Sequence, residues 1–550
     1  MLGYLHEDAV PCKTESPSCL TVSIPLPRDG IDFSRPTVLC VRLVFFVCPS
    51  GGSGQTEPVS HSSAVREGSK ILREEERKNM SKKVNSRLIV AAIFTLLCVL
   101  LAFVPFEGLD STGKGVMIVF IWAIIMWIVR PIPEWLIGVL AAAILAIFFG
   151  SGTRVVSGFS SSGWWLCLWA GFIGVVIQNS GLGERIAYLI LVKMGKTELM
   201  ANYATNIANT VLSLMIPSNT ARGAVVSPMC DSICEGMGYK RGEHKGDAAI
   251  MLSNLFTNTT NTWLFYTAVG ANAIGMALVT EATGKSISWT GWLQATFIPA
   301  GLILLFIPWF CHKLYGTKGA GKREVDITFA KEKLASMGKM TVKEKKAGLY
   351  FLLTLLAFCT NGIHGVAPDY IVFVTVFLML CPGIGVCTFK ELNATFAWPA
   401  FLQLGFAMSL ANCVSDVGGF QWVVDMIFVG NTFFTSMNTT TFLIIWLTFV
   451  VFLHIIFAGM NAMEAVIVPV SMTLAAAMGF DTYTMGLLTV MAISTGAFFL
   501  PFNSAPNLIF YATDRFTVAQ ELKGAIPLAI LIVIGLIFSV LVWFPIIGIL

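Results

Sequence analysis

From residue 87 onward the chain is a succession of apolar runs separated by short polar, glycine- or proline-bearing breaks. Most runs are about 17–23 residues long, the length an α-helix needs to cross the hydrocarbon core of a bilayer. The pattern predicts helices over 87–105, 115–130, 134–150 and 162–179. The amphipathic stretch from Gly183 to Met194, carrying Glu184, Arg185 and Lys193, should lie at the membrane interface. Two half-length segments follow, 201–217 and 220–235, broken at Pro217-Ser218-Asn219-Thr220. A segment over 247–269 breaks before Gly270-Ala271-Asn272, and a long helix is predicted over 290–312.

Between Lys313 and Lys346 basic residues far outnumber acidic ones and no apolar run occurs, the signature of a cytoplasmic loop. The basic stretch before residue 88 places the N-terminus on the same side. The series of elements then returns: helices over 347–365, 368–382 and 398–414, an interfacial stretch at 420–430 and half-segments at 441–458 and 462–478. A broken helix over 484–513 and a last helix over 525–547 complete it.

The order implies an internal repeat at an offset of about 235–241 residues. Asn179-Ser180-Gly181-Leu182-Gly183 resembles Ser415-Asp416-Val417-Gly418-Gly419, and Ser218-Asn219-Thr220 before Pro228 corresponds to Gly459-Met460-Asn461 before Pro469. Ala271-Asn272-Ala273-Ile274 corresponds to Pro506-Asn507-Leu508-Ile509. With an odd number of crossings per half, the second repeat is inverted, an architecture of secondary transporters that hold solute between the breaks. The expected fold is therefore an all-α polytopic membrane protein of about eleven transmembrane helices. It consists of two inverted repeats, each with a re-entrant helical hairpin and a broken helix, over 80–312 and 347–550, joined by the basic linker 313–346.

Composition supports the membrane reading: 55% of the 550 residues are hydrophobic and 12% charged, and the mean hydropathy is +0.75. Soluble domains carry about 25% charged residues, which excludes an ordinary soluble protein. A net charge of +4, with the charges scattered, offers no nucleic-acid surface. The 13 cysteines lie mostly singly in apolar text, and Cys230 and Cys234, the close pair, have no histidine or second cysteine pair to form a metal site. No cofactor is expected.

Residues 1–79 differ from the rest, with proline-, serine- and glycine-rich text around the apolar run from Val38 to Cys48, too short to span a bilayer. The stretch from Glu74 to Asn79 before Met80 could be encoded by a purine-rich ribosome-binding sequence. Two readings stand: a natural start at Met80, or a disordered cytoplasmic extension.

A backbone break inside a bilayer exposes N–H and C=O groups that only protein or a water-filled cavity can satisfy, so each break is a candidate site. Ser218, Asn219 and Thr220 offer hydroxyls, an amide and the N–H groups of a helix start, suited to a carboxylate. They could also simply cap a helix after Pro217; the matching break in the second half favours the site. Arg222 is either a bidentate carboxylate ligand or an arginine snorkelling from a re-entrant tip. Glu464 is either a site residue or a buried acid bridged to a neighbour, and His454 reads as a packing residue. The stripe from Thr257 to Thr262 lines the cavity or bonds between helices.

Together these residues resemble the divalent anion/sodium symporter family, whose hairpin tips carry Ser-Asn-Thr and whose broken helices carry Thr-Pro-Pro-Asn-like loops. The likeness covers about residues 85–550, and Pro217 to Gly223 with Thr267 to Ala273 look most like its bacterial citrate/succinate and tartrate/succinate exchanger branch. The resemblance implies a plasma (inner) membrane transporter of di- or tricarboxylates such as succinate, malate and citrate, working by an elevator motion and assembled as a homodimer. Ser218, Asn219, Thr220, Arg222, Thr267, Asn461, Ser504 and Asn507 would bind substrate. Ser218, Asn219, Gly270, Asn272, Gly459, Asn461 and Asn503 would hold Na+ as the coupling ion. The second tip departs from the family as Gly459-Met460-Asn461, the second loop as Ser504-Ala505-Pro506-Asn507, and the first loop lacks the prolines. Sodium symport is thus the expected coupling, with sodium-independent carboxylate exchange as its alternative. Neither a catalytic constellation nor a continuous channel is indicated.

Overall fold

The computed structural model describes residues 87–549 apart from 244–245, 318, 320–321, 429–436, 458 and 502. Both readings of residues 1–79 lie outside the described residues. The first half runs α1 (Arg87–Leu101), α2 (Ser111–Val129), α3 (Glu134–Phe148), a 3-10 segment (Gly152–Ser160), α4 (Ser162–Ser180), α5 (Leu182–Met194), α6 (Glu198–Met215), α7 (Asn219–Gly236), α8 (Asp247–Leu264), α9 (Gly270–Thr283) and α10 (Trp289–Tyr315). The second runs α11 (Thr328–Met337), α12 (Val342–Cys359), a single turn α13 (Asn361–His364), α14 (Pro368–Leu380), α15 (Phe389–Thr395), α16 (Trp398–Asp416), α17 (Gly419–Phe428), α18 (Thr439–Leu453), α19 (Met460–Ala477), α20 (Thr482–Ser494), α21 (Ala505–Tyr511) and α22 (Val518–Phe538).

Local chemistry sets the boundaries. The Ser161 hydroxyl caps α4 by accepting the Trp164 N–H at 3.1 Å, and Gly181, at φ 81°, turns the chain out of the helix. Thr341 and Glu344 form a reciprocal capping box that starts α12. That helix therefore begins inside the stretch read as linker. The linker also holds α11, which packs against α5, where Lys333 Nζ meets Glu184 at 3.1 Å. A helix of ten residues, interrupted by lysines and a glutamate, is too short to register as a spanning apolar run.

The repeated order is visible in the bends. The 3-10 segment meets α4 at 47°, and α15 meets α16 at 74°. The 3-10 segment crosses the middle of α16 through glycine. A Cβ on Gly158 would lie 2.3 Å from the Gly405 carbonyl oxygen, and one on Gly405 2.3 Å from the Phe159 ring. Small residues at such crossings let backbones approach and hydrogen-bond, and the Gly158 N–H donates to Ser409 Oγ at 2.9 Å.

One wall of the molecule is formed by α2, α3 and α16 with the 3-10 segment. The other is built around α8, every residue of which is buried, packed by α6, α7 and α10, with α9, α19 and α20 interlocked beside it. By length and composition four described helices can cross a membrane, or six when each bent pair is one span. Five further described apolar helices have 10–17 residues. Helix length thus accounts for four to six crossings among the described residues and leaves the count of about eleven read from hydropathy untested.

Candidate functional site

Between the two walls lies a cavity of about 580 Å³, lined by Ser218, Asn219 and Thr220 of the first tip, Gly270, the second tip Gly459, Met460 and Asn461, and Ser504 with Pro506. The lining is completed by Gly171 and Gly174 of α4, by Phe401 and Gln403 of α16, and by Arg130 and Glu134. The volume suits a small solute.

The starts of α7, α9 and α19 converge on this space. Ser218 Oγ accepts the Ala221 N–H at 3.2 Å, while α9 and α19 begin at Val269 and Gly459 without a side-chain cap. Uncapped first-turn N–H groups and the positive end of the helix dipole favour an anion there. Glycine lets the first tip sit so close to α4: a Cβ on Gly174 would lie 2.4 Å from Pro217 Cδ.

Several expected site residues do not line the cavity. Arg222 is fully buried. Its Nη1 donates to the carbonyls of Ile216 at 2.8 Å and Ala268 at 2.7 Å. Its Nη2 donates to the Asn258 carbonyl at 3.1 Å and its Nε to Asn258 Oδ1 at 3.3 Å. The guanidinium thus ties the first tip to the broken helix opposite rather than facing a solute. Thr267 sits in the turn after α8, where its hydroxyl takes the Trp289 indole N–H at 3.4 Å. Asn272 and Asn507 are buried and bond the carbonyls at the two breaks. Asn503 donates to the His454 carbonyl at 2.9 Å, and its own amide oxygen is buried without a partner among the described residues. Glu464 is buried behind the second tip against Gly275.

Hydropathy reading missed Arg130, Glu134 and Gln403. Arg130 is the C-cap of α2, in the left-handed region at φ 52°, with its N–H bonded to the Met126 carbonyl. Its Nε lies 2.6 Å from Glu134 Oε1, with about a third of each side chain accessible; the contact is close in distance but not aligned as a hydrogen bond. The available signal was an arginine and a glutamate flanking Pro131-Ile132-Pro133 directly after an apolar run.

A model of the sodium:sulfate symporter transmembrane region matches residues 82–550. The chain belongs to that family. Among the relatives, the Escherichia coli inner membrane protein YbhI is 27% identical over 483 residues, covering 85% of this chain and 99% of its own. The Escherichia coli citrate/succinate antiporter is 26% identical over 486 residues, covering 82% and 98%. In structure, the Alcanivorax borkumensis YdaH transporter aligns with 79% of this chain and 99% of its own at a TM-score of 0.53 and 13% identity. That likeness concerns the fold alone. The chain is a helical membrane protein of a family that transports di- and tricarboxylates and includes antiporters.

Proposed function

We propose that the chain carries small di- or tricarboxylates, such as succinate, malate and citrate, across the membrane, as the hairpin-bearing helices move against the wall of α2, α3 and α16. The observation that carries this reading is the convergence of the α7, α9 and α19 starts, with Ser218, Thr220 and Asn461, on one cavity of about 580 Å³. Helix starts favour negative charge, and a small multivalent anion can engage more than one of them.

On coupling, the position of Arg222 favours exchange over sodium symport. Unwound backbone carbonyls are the groups that hold Na+ in transporters with broken helices. Here the break carbonyls of Ile216 and Ala268 are taken by the Arg222 guanidinium, which also bonds the in-helix carbonyl of Asn258. A covalently held cation beside the first tip does the electrostatic work of a coupling ion and cannot be driven by a sodium gradient. Similarity to the citrate/succinate antiporter points the same way. The test is uptake of labelled succinate and citrate into proteoliposomes, empty or preloaded with unlabelled dicarboxylate, with and without an inward sodium gradient. Uptake only into preloaded vesicles, indifferent to sodium, is expected. Sodium-driven uptake into empty vesicles would establish symport instead, and no uptake of any carboxylate would overturn the cargo.

A further inference from the structure

The second tip lacks the hydroxyls of the first, reading Gly459-Met460-Asn461 where the first reads Ser218-Asn219-Thr220. A cation from the facing wall stands over it. Arg130 Nη2 lies 3.6 Å from the position a Cβ on Gly459 would take. Among the described non-glycine residues, Arg130 and Asp514 have positive φ. Glycine fills a left-handed helix C-cap at least cost, so an arginine here is kept for its side chain rather than its backbone. Glu134, across the Pro131-Ile132-Pro133 turn, contacts Nε at 2.6 Å, and a third of both side chains is open. The planar guanidinium matches a carboxylate in shape and charge.

We infer that Arg130, oriented by Glu134, receives the substrate's second carboxylate against the Gly459–Asn461 tip, and so sets the preference for dianions over monoanions. This rests on the carboxylate reading above. One carboxylate occupies the starts of α7 and α9, and the other lies between the start of α19 and Arg130. Glu134 holds the guanidinium in place and competes with the solute for it, which limits affinity.

The test uses the purified full-length protein, with stabilisation against heat by succinate compared with that by succinamate, which replaces one carboxylate with a carboxamide. The ratio of half-effective concentrations is internal to each sample and does not depend on turnover. Wild type should prefer succinate by about tenfold or more, the effect of one charge-assisted contact. R130Q should bring the ratio close to one, and E134Q should raise it above wild type. An R130Q that keeps the wild-type ratio overturns the inference, and so does an unchanged E134Q, which alone decides if R130Q does not purify. If sulfate stabilises the wild type and no carboxylate does, the carboxylate reading falls. Arg130 is then judged by whether R130Q weakens the sulfate effect. Stabilisation by neither anion overturns both.

Discussion

Asn272 and Asn507 hold the two broken helices by the same pair of bonds. Asn272 Nδ2 donates to the carbonyls of Thr262 at 2.8 Å and Phe265 at 3.2 Å, ten and seven residues earlier. Asn507 Nδ2 donates to those of Ala497 at 2.8 Å and Leu500 at 3.0 Å, at the same spacings. A hydroxyl orients each amide through its oxygen, from Ser494 at 2.6 Å and from Ser504 at 2.8 Å. The pair supplies the donors that unwinding would otherwise leave missing in an apolar setting.

Asn272→Ala and Asn507→Ala should each destabilise the protein by about 1–3 kcal/mol, the cost of orphaned buried carbonyls. Aspartate should not rescue either position, because an ionised carboxylate donates nothing. Unfolding temperature in detergent checks this, and wild-type stability in both alanine variants would show that the bonds are incidental.

Gly174→Ala should impair transport and cost about 1–3 kcal/mol by overpacking, because the new methyl would sit 2.4 Å from the Pro217 ring at the base of the first tip. Gly301→Ala is the control, since a Cβ there meets nothing within 4 Å. Equal thermal stability and uptake in the two variants would remove the close approach of α4 from the account.

The positions of the breaks were legible because proline, glycine and asparagine interrupt apolar runs there, and the two tips do meet at one cavity. What each polar residue does was less so. Arg222 bonds backbone carbonyls of Ile216, Ala268 and Asn258, and a main-chain partner leaves no mark in side-chain text. Asn272, Asn503 and Asn507 carry the residue type of a cation ligand but spend their amides on the backbone. Arg130 and Glu134 went unnoticed, since nothing local says that Gly459, over 300 residues away, lies beside Arg130. Contacts between distant segments are what the chain pattern does not encode.

Glu344 ties the interfacial helix α5 to the start of α12. It pairs with Arg185 at 2.6 Å, with side-chain exposures of 2% for the glutamate and 11% for the arginine, and it accepts the Thr341 N–H at 2.6 Å. Burial works to raise its carboxyl, but the Arg185 and Thr341 bonds outweigh burial and hold it below the usual carboxylate range. The stability from this group is therefore fully present above about pH 4.3, where an unfolded glutamate ionises, and is lost as the pH falls through the lower folded value. Glu344→Gln should cost about 1.5–3 kcal/mol at neutral pH. The gap to wild type in unfolding temperature should narrow on acidification, and a gap independent of pH would count against this pairing.

Arg222→Gln should remove sodium-independent exchange. The shorter amide cannot span the break carbonyls of Ile216 and Ala268, and each one orphaned costs about 1–3 kcal/mol. Arg222→Gly is the sharper variant, because it leaves those oxygens pointing into space vacated by a cation. If the guanidinium occupies the place of a coupling ion, Na+ should raise the unfolding temperature of Arg222→Gly more than K+ or choline at equal ionic strength, and wild type should show no such difference. Wild-type exchange in Arg222→Gln, still indifferent to sodium, would mean that the arginine only braces the tip and that coupling is set elsewhere.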